Sequence, residues 1–430
     1  MNFDLLHPAD QIVMIMQRIY AYGMTTTSGG NLSIKDDDGD IWITPGGVDK
    51  GSLTRRDIIC MKPDGEVIGP HKPSSEFPFH KTIYERRPDL KAVLHAHPPA
   101  LVAFSIVRQI PHTFLVPNVN EICGEIAYAA YALPGSKKLG DTIAAVFAKG
   151  INTVLMENHG IVVGAQNLFQ AFMAFETLDF CARLEISARR MGALRPLTKE
   201  LVILTARKKH PDLVHFVPGP VSSLERGARR EMCELIHRAY DQQLISSTQG
   251  TFSQRLDGNN FIITPYGADR KYLEPADLVR IEAGHAETGK TPSRSVFLHR
   301  RIYELHPGIQ AVIIAHPPSA MVFAVTDLVF DTRTIPESYI LLRTIPWLPY
   351  GTNFTDLERT ASSFSAKVPI VILENDCLMV TGSSLLNAFD RLEVAEYSAK
   401  AIIAAQELGQ IVAINDQQVD ELISAFKLEK

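Results

Sequence analysis

His95-Ala96-His97 carries two imidazoles two residues apart, and side chains at that spacing leave an extended strand on the same side. Such a pair supplies half of a metal site. A third imidazole is available at His159, in Glu157-Asn158-His159-Gly160, where Gly160 permits a sharp turn after a short strand. Three imidazoles leave one coordination position open, as catalytic zinc sites do. The same donors also suit iron, cobalt and nickel. Glu76 follows Pro73-Ser74-Ser75 and opens a helix. Read by itself it is an acid favoured by the helix dipole, with Ser74 or Ser75 as the cap. The same helix start offers N–H groups and two hydroxyls to an anion such as a phosphate. The Gly-containing turns Thr27–Ser33 and Thr44–Gly47 supply further N–H donors of that kind. His80, four residues past Glu76 on the same helix face, reads as a supporting group rather than a ligand. His7, His71 and His112 read as structural.

The elements that must position these groups follow from hydrophobic spacing. Ile12, Met16, Ile19 and Tyr20 fall at helical intervals and predict a first helix with one buried face. Short β-rich runs are expected at Asn31–Ile34, Ile41–Thr44, Ala92–His95 and Thr153–Met156. Helical patterns lie around Glu76–Arg87, Lys137–Ala148 and Asn167–Met191. Helices alternating with short buried strands indicate a layered α/β domain.

The pattern occurs twice. Arg18-Ile19-Tyr20 recurs as Arg238-Ala239-Tyr240, and Ile43-Thr44-Pro45 with Gly47 recurs as Ile263-Thr264-Pro265 with Gly267. Pro73-Ser74, His80 and Tyr84 answer Pro292-Ser293, His299 and Tyr303. His97-Pro98-Pro99 answers His316-Pro317-Pro318, and Glu157-Asn158 answers Glu374-Asn375. A constant order over five segments means two copies of one domain. Residues 1–208 and 209–430 are the expected domains, joined near Lys208–Leu224, a stretch holding Pro211, Pro218, Gly219 and Pro220.

Composition limits the functions available. The 430 residues are 46% hydrophobic and 21% charged, the balance of a soluble globular chain. A net charge of −5 argues against non-specific nucleic-acid binding, so any anion site must be local. No apolar run approaches a membrane span of about 20 residues, and the first residues do not read as a signal peptide. Five scattered Cys without C-x-x-C spacing read as reduced core thiols of a cytoplasmic protein.

Taken together and in this order, S-G-G-N-L-S, T-P-G-G, P-S-S-E, H-A-H-P and N-H-G resemble the class II aldolase/adducin family over about Pro8 to Arg195. The resemblance implies a three-layer α/β/α sandwich around a mainly antiparallel sheet, present twice in tandem. It implies a divalent metal, usually zinc, on His95, His97 and His159, with Glu76 as the acid/base. It also implies a substrate phosphate held by Gly30, Asn31, Gly47, Ser74 and Ser75. The expected activity is an aldolase-type lyase that makes or breaks a carbon–carbon bond in a small sugar phosphate or related hydroxy-carbonyl compound. A cation chelated by two oxygens of an enediolate would stabilise its charge. The same resemblance admits a dehydratase, decarboxylase or epimerase on one metal site, or an adducin-like scaffold, because a fold does not fix function. Epimerases of the family tend to carry Asp where Glu76 stands. Homo-oligomers with sites near interfaces are implied as well.

Two departures bear on the substrate. Gly46 stands where the family's phosphate loop usually has Ser or Thr, and Pro111-His112-Thr113-Phe114 lacks the Tyr that sugar-phosphate aldolases place downstream. Copy two keeps the scaffold motifs but has Ser295 for Glu76, Ile314 for His95, Asp376 for His159 and Thr251 for Asn31. Only His316 remains of three ligands, so copy two is expected to be non-catalytic and to complete the assembly. Arg294, in the place of Ser75, reads as a solvated surface residue.

Overall fold

The computed structural model describes residues 3–428. Contacts divide the chain into two units. Of the described residues, one unit holds 3–113 with Asn118–Arg183, and the other holds Phe114–Pro117 with 184–428.

The first unit is built on one sheet. Its strands are β1 (Asn31–Lys35), β2 (Ile41–Ile43), β3 (Ile59–Met61), β4 (Val67–Ile68), β5 (Ala92–Ala96), β6 (Ile126–Ala129), β7 (Thr153–Met156) and β8 (Ile161–Ala165). They lie in the order β4-β3-β2-β1-β5-β8-β7-β6. Every neighbouring pair is antiparallel except the edge pair β6–β7. The helices Phe77–Arg86 and Lys137–Phe147 pack together over one face, closing a core of Phe79, Ile83, Tyr84, Val93, Ile143, Phe147 and Val162. The first helix, Pro8–Ala21, packs on β1 and β2 and buries Ile12, Ile15, Met16 and Ile19. Tyr20 does not join that face: it is 37% exposed, and Ile15 takes the buried position instead. His7 caps this helix through Nδ1 and packs edge-on against Trp42.

The second unit repeats the arrangement with β9 (His215–Phe216), β10 (Thr251–Asp257), β11 (Asn260–Ile263), β12 (Val279–Glu282), β13 (His285–Glu287), β14 (Ala311–Ala315), β15 (Trp347–Leu348), β16 (Ile370–Leu373) and β17 (Cys377–Gly382). Its order is β15-β16-β17-β14-β10-β11-β12-β13-β9. The run from β15 to β13 matches β6 to β4 strand for strand, and β9 adds a parallel edge. All five Cys are buried and none forms a disulfide. No described helix is long and apolar enough to cross a membrane.

Register decides which residues meet. In β1–β5 pairing, Asn31 lies opposite His95 and Ser33 opposite Val93, so all four share one face of the sheet. The helix over that face presents Glu76, His80 and Tyr84 at intervals of four, about 6 Å of rise. Two strand residues rise about 6.8 Å. Helix and strand therefore stay in step, and Asn31 meets Glu76 and His80 while Ser33 meets His80 and Tyr84.

Candidate metal centre and active site

His95 is fully buried on β5, and His97 follows one residue past the strand end. His159 sits in the tight turn between β7 and β8, where Asn158 adopts φ +53° and the His159 N–H donates to the Met156 carbonyl. Because β8 pairs with β5 so that Ile161 faces Ala96, this turn lies beside the end of β5. The three imidazoles converge, with ligand nitrogens all within 4.8 Å of one another and ring centroids 4.6, 5.0 and 5.0 Å apart. Close approach depends on glycine. A Cβ on Gly160 would lie 2.6 Å from the Ala96 carbonyl and from His97 Cδ2, and one on Gly30, at φ +73°, would lie 2.9 Å from the His95 carbonyl.

Hydrogen bonding prepares these rings as ligands. His95 Nδ1 donates to the Ile161 carbonyl at 2.8 Å, which fixes the ring with Nε2 directed at the cluster. Burial, and then the neighbouring His95 and His159, bring the His97 imidazole down to about 3. Burial followed by His95 brings His159 to about 4. Neutral imidazoles are the form that binds a metal.

The Glu76 carboxylate closes the cluster, with Oε2 3.3 Å from His95 Nε2 and Oε1 3.6 Å from His159 Nε2. Its Oε1 is buried without a hydrogen-bond partner. Burial opposes ionisation, yet the imidazoles of His95 and His159 and the Asn31 amide hold the carboxyl below the usual carboxylate range. Three convergent nitrogens beside an ionised, under-satisfied carboxylate fit a divalent cation by donor type and charge.

A buried chain of hydrogen bonds aims this carboxylate. Ser33 Oγ lies 2.8 Å from Tyr84 Oη and 2.7 Å from His80 Nδ1, and His80 Nε2 lies 2.5 Å from Asn31 Oδ1. Asn31 Nδ2 donates to Glu76 Oε2 at 2.7 Å. His80 is wholly buried and held at about 3 by burial, so it is neutral. As a donor through Nε2 it fixes the amide orientation of Asn31.

The expected anion residues come together in part. Pro45 and Pro73 form an antiparallel bridge, and Ser74 N–H donates to the Thr44 carbonyl, which sets the Thr44–Gly47 turn beside Pro73-Ser74-Ser75. Gly47 has φ +69° and open space where a Cβ would stand. Ser75 is exposed, whereas Ser74 is buried and accepts from the Glu76 N–H at 3.3 Å. Glu76 itself is the helix N-cap. The Asn31 side chain differs from expectation. Both ends are committed, to Glu76 and to His80, so it supports the carboxylate rather than standing open to a phosphate.

Two further residues support the site and were not singled out by motif. Lys50 is buried and bonds the Pro45 carbonyl, pinning the Thr44–Gly47 turn. Its counterpart Arg270, at the repeat spacing, is also buried and bonds loop carbonyls; a cation retained in both copies was the available signal. Arg108 braces the His159 turn, donating to Asn158 Oδ1 at 2.9 Å.

A model of the class II aldolase and adducin N-terminal domain matches this chain twice, over residues 10–186 and 230–403. The chain belongs to the class II aldolase/adducin family. Among its relatives is a 5-deoxy-D-ribulose 1-phosphate aldolase of Bacillus thuringiensis, 32% identical over 46% of this chain and 93% of the relative. A 3-oxo-tetronate 4-phosphate decarboxylase of Pectobacterium atrosepticum is 33% identical over 40% of this chain and 81% of its own length. A solved L-fuculose 1-phosphate aldolase is 31% identical over 47% of this chain and 95% of its own, with a TM-score of 0.42. Each relative corresponds in length to one copy, so the tandem form of this family member is a feature of the present chain.

The second copy holds its ladder without the residues at its end. Ser253, His299 and Tyr303 keep the spacing of Ser33, His80 and Tyr84, at 2.7 Å for both contacts. Thr251 replaces Asn31, however, and His299 Nε2 is left buried without a partner. Arg294 departs from the surface role expected of it. It is half-buried, stacks over Tyr266 at 5.3 Å and donates to the Lys208 carbonyl.

Proposed function

We propose that the first domain, residues 1–208, is a divalent-metal-dependent lyase, with zinc as the preferred ion, acting on a small sugar phosphate at a carbon–carbon bond. His95, His97 and His159 are the ligands and Glu76 is the acid/base. The observation that carries this reading is the Glu76 carboxylate, 3.3 and 3.6 Å from two imidazole nitrogens of the triad and oriented by Asn31. A scaffold protein would have no use for a buried, ionised carboxylate beside three converging imidazoles.

The divalent ion supplies Lewis-acid stabilisation of the negative charge that cleavage leaves on the carbon next to a carbonyl. The chain's own groups do the rest. Glu76, held ionised, accepts a proton from the substrate hydroxyl as the bond breaks and returns it at carbon. Asn31 keeps the carboxylate from rotating away, and His80 keeps Asn31 in the amide orientation that donates. Gly30, Gly47, Ser74 and Ser75 are the residues proposed to hold the substrate phosphate, with Asn31 contributing through Glu76. The protein is proposed to be cytoplasmic and homo-oligomeric, with the second domain, residues 209–430, non-catalytic.

The decarboxylase relatives support a second reading. Loss of carbon dioxide from a phosphorylated 3-oxo acid leaves the same kind of charge at the same place, and it requires the same ligands. Incubation with ketose 1-phosphates and, separately, with phosphorylated 3-oxo acids distinguishes them. Release of an aldehyde from the first supports the aldolase, release of carbon dioxide from the second supports the decarboxylase, and neither in the metal-replete protein overturns the proposal.

A further inference from the structure

The pocket of the second domain faces the chain's own linker. Asp376 stands at the position of His159, in a turn with the same geometry, since Asn375 has φ +51° and Asp376 N–H donates to the Leu373 carbonyl. Lys208 Nζ lies 2.8 Å from Asp376 Oδ1, and both side chains are almost wholly buried, at 13% and 4% exposure. The ammonium also lies 4.9 Å from the centre of the Phe354 ring, and the charges of Asp376 and Lys208 both act on buried His316, the one ligand type retained. Ile314, in place of His95, offers no donor on β14.

The two anion turns have been refitted around the same segment. Tyr266 replaces Gly46 and Arg294 replaces Ser75. Arg294 donates to the Lys208 carbonyl at 3.4 Å, and His210 packs edge-on against Tyr266 with ring centroids 4.1 Å apart. Just upstream, Thr205 Oγ1 and Tyr350 Oη are 2.7 Å apart. Three of the substituted positions, Asp376, Tyr266 and Arg294, thus contact residues 208–210.

We propose that this linker is the resident ligand of the second pocket, with the Lys208 ammonium standing where the first domain's ligands would place a metal ion. The replacement of an imidazole by a carboxylate follows from it. A monovalent ammonium donates hydrogen bonds and is held best by an acceptor that carries charge, which Asp376 supplies and an imidazole at that position would not. The second domain then binds neither metal nor anionic substrate, and its pocket serves as a clamp on the segment that joins the copies.

Two measurements on the full chain test this. In a double-mutant cycle of Lys208→Met and Asp376→Asn, each single change should lower the melting transition of the second domain by roughly 5–10 °C, because it strands one buried charge. The double variant should recover most of that loss, and additive losses would overturn the proposal. The second measurement does not depend on stability. Cobalt(II) uptake is titrated by its visible absorption in the wild type, in Ile314→His/Asp376→His, and in that pair with Lys208→Met added. The triple variant should gain one cobalt over wild type, and the pair retaining Lys208 should bind that additional ion at least about tenfold more weakly. Equal affinity in the two variants, or no gain in the triple variant, would contradict an ammonium at the metal position. The readout is the increment over wild type, so it stands whether or not the first domain is a lyase.

Discussion

Asn31 Nδ2 donates to Glu76 Oε2 at 2.7 Å, and this contact ties the sheet to the carboxylate at the helix start. Behind it stands His80, whose Nε2 meets the other end of the Asn31 amide. The second copy shows the same histidine with its terminus removed, because His299 Nε2 has no partner once Thr251 stands in place of Asn31. His80 is therefore a positioning residue. His80→Leu should lower kcat about 10- to 100-fold with a smaller change in KM and with metal retained. Steady-state kinetics paired with metal analysis checks it, and an unchanged kcat would reduce the chain to packing.

Glu76→Gln removes the proton carrier while keeping size and most contacts. Turnover should fall about a hundredfold to ten-thousandfold, and the metal content should stay as in the wild type. A variant with full specific activity would leave Glu76 as a helix-terminus charge.

Ser75 is exposed beside the helix start, so Ser75→Ala should leave the fold alone. One hydrogen bond to a charged group is worth roughly 1.5–3 kcal/mol, which raises KM for a phosphorylated substrate about tenfold or more. An unphosphorylated analogue should show little change. Equal effects on both substrates would remove Ser75 from the anion site.

Stability should fall early on acidification. Burial holds His80 and His299 at about 3 in the folded chain, against about 6.5 when unfolded. Each group binds its proton preferentially in the unfolded state, so its contribution is fully present above about pH 6.5 and is lost as pH falls towards 3. In that window each costs about 1.4 kcal/mol per pH unit. Urea midpoints of the second domain between pH 7 and pH 5 should drop, and His299→Gln should flatten the slope. An equally steep decline in that variant would assign the loss to other groups.

Much of this was legible in the sequence because the chemistry rides on short, regular elements. Thr153–Met156 matches its strand in both bounds, and the helices at Glu76–Arg87 and Lys137–Ala148 differ from the observed ones only at their ends. The register of β1 on β5 was not legible, since strand pairing is set by tertiary contacts and leaves no mark on either strand alone. For that reason Asn31 read as a phosphate ligand from its Gly-rich surroundings, whereas pairing opposite His95 commits its side chain to Glu76. Arg294 read as solvated for a similar cause: its partners Tyr266 and Lys208 are far away along the chain. Strands β3 and β4 are only three and two residues long, too short for an alternating pattern to show.

The metal count per chain is the most direct test of the central claim. Purified protein, replete with zinc and freed of excess ion, should carry one equivalent by elemental analysis. His97→Ala should remove it, because two remaining imidazoles hold the ion far more weakly, and His316→Ala should leave it in place. Two equivalents, or one that survives His97→Ala, would contradict the assignment of the metal centre to His95, His97 and His159.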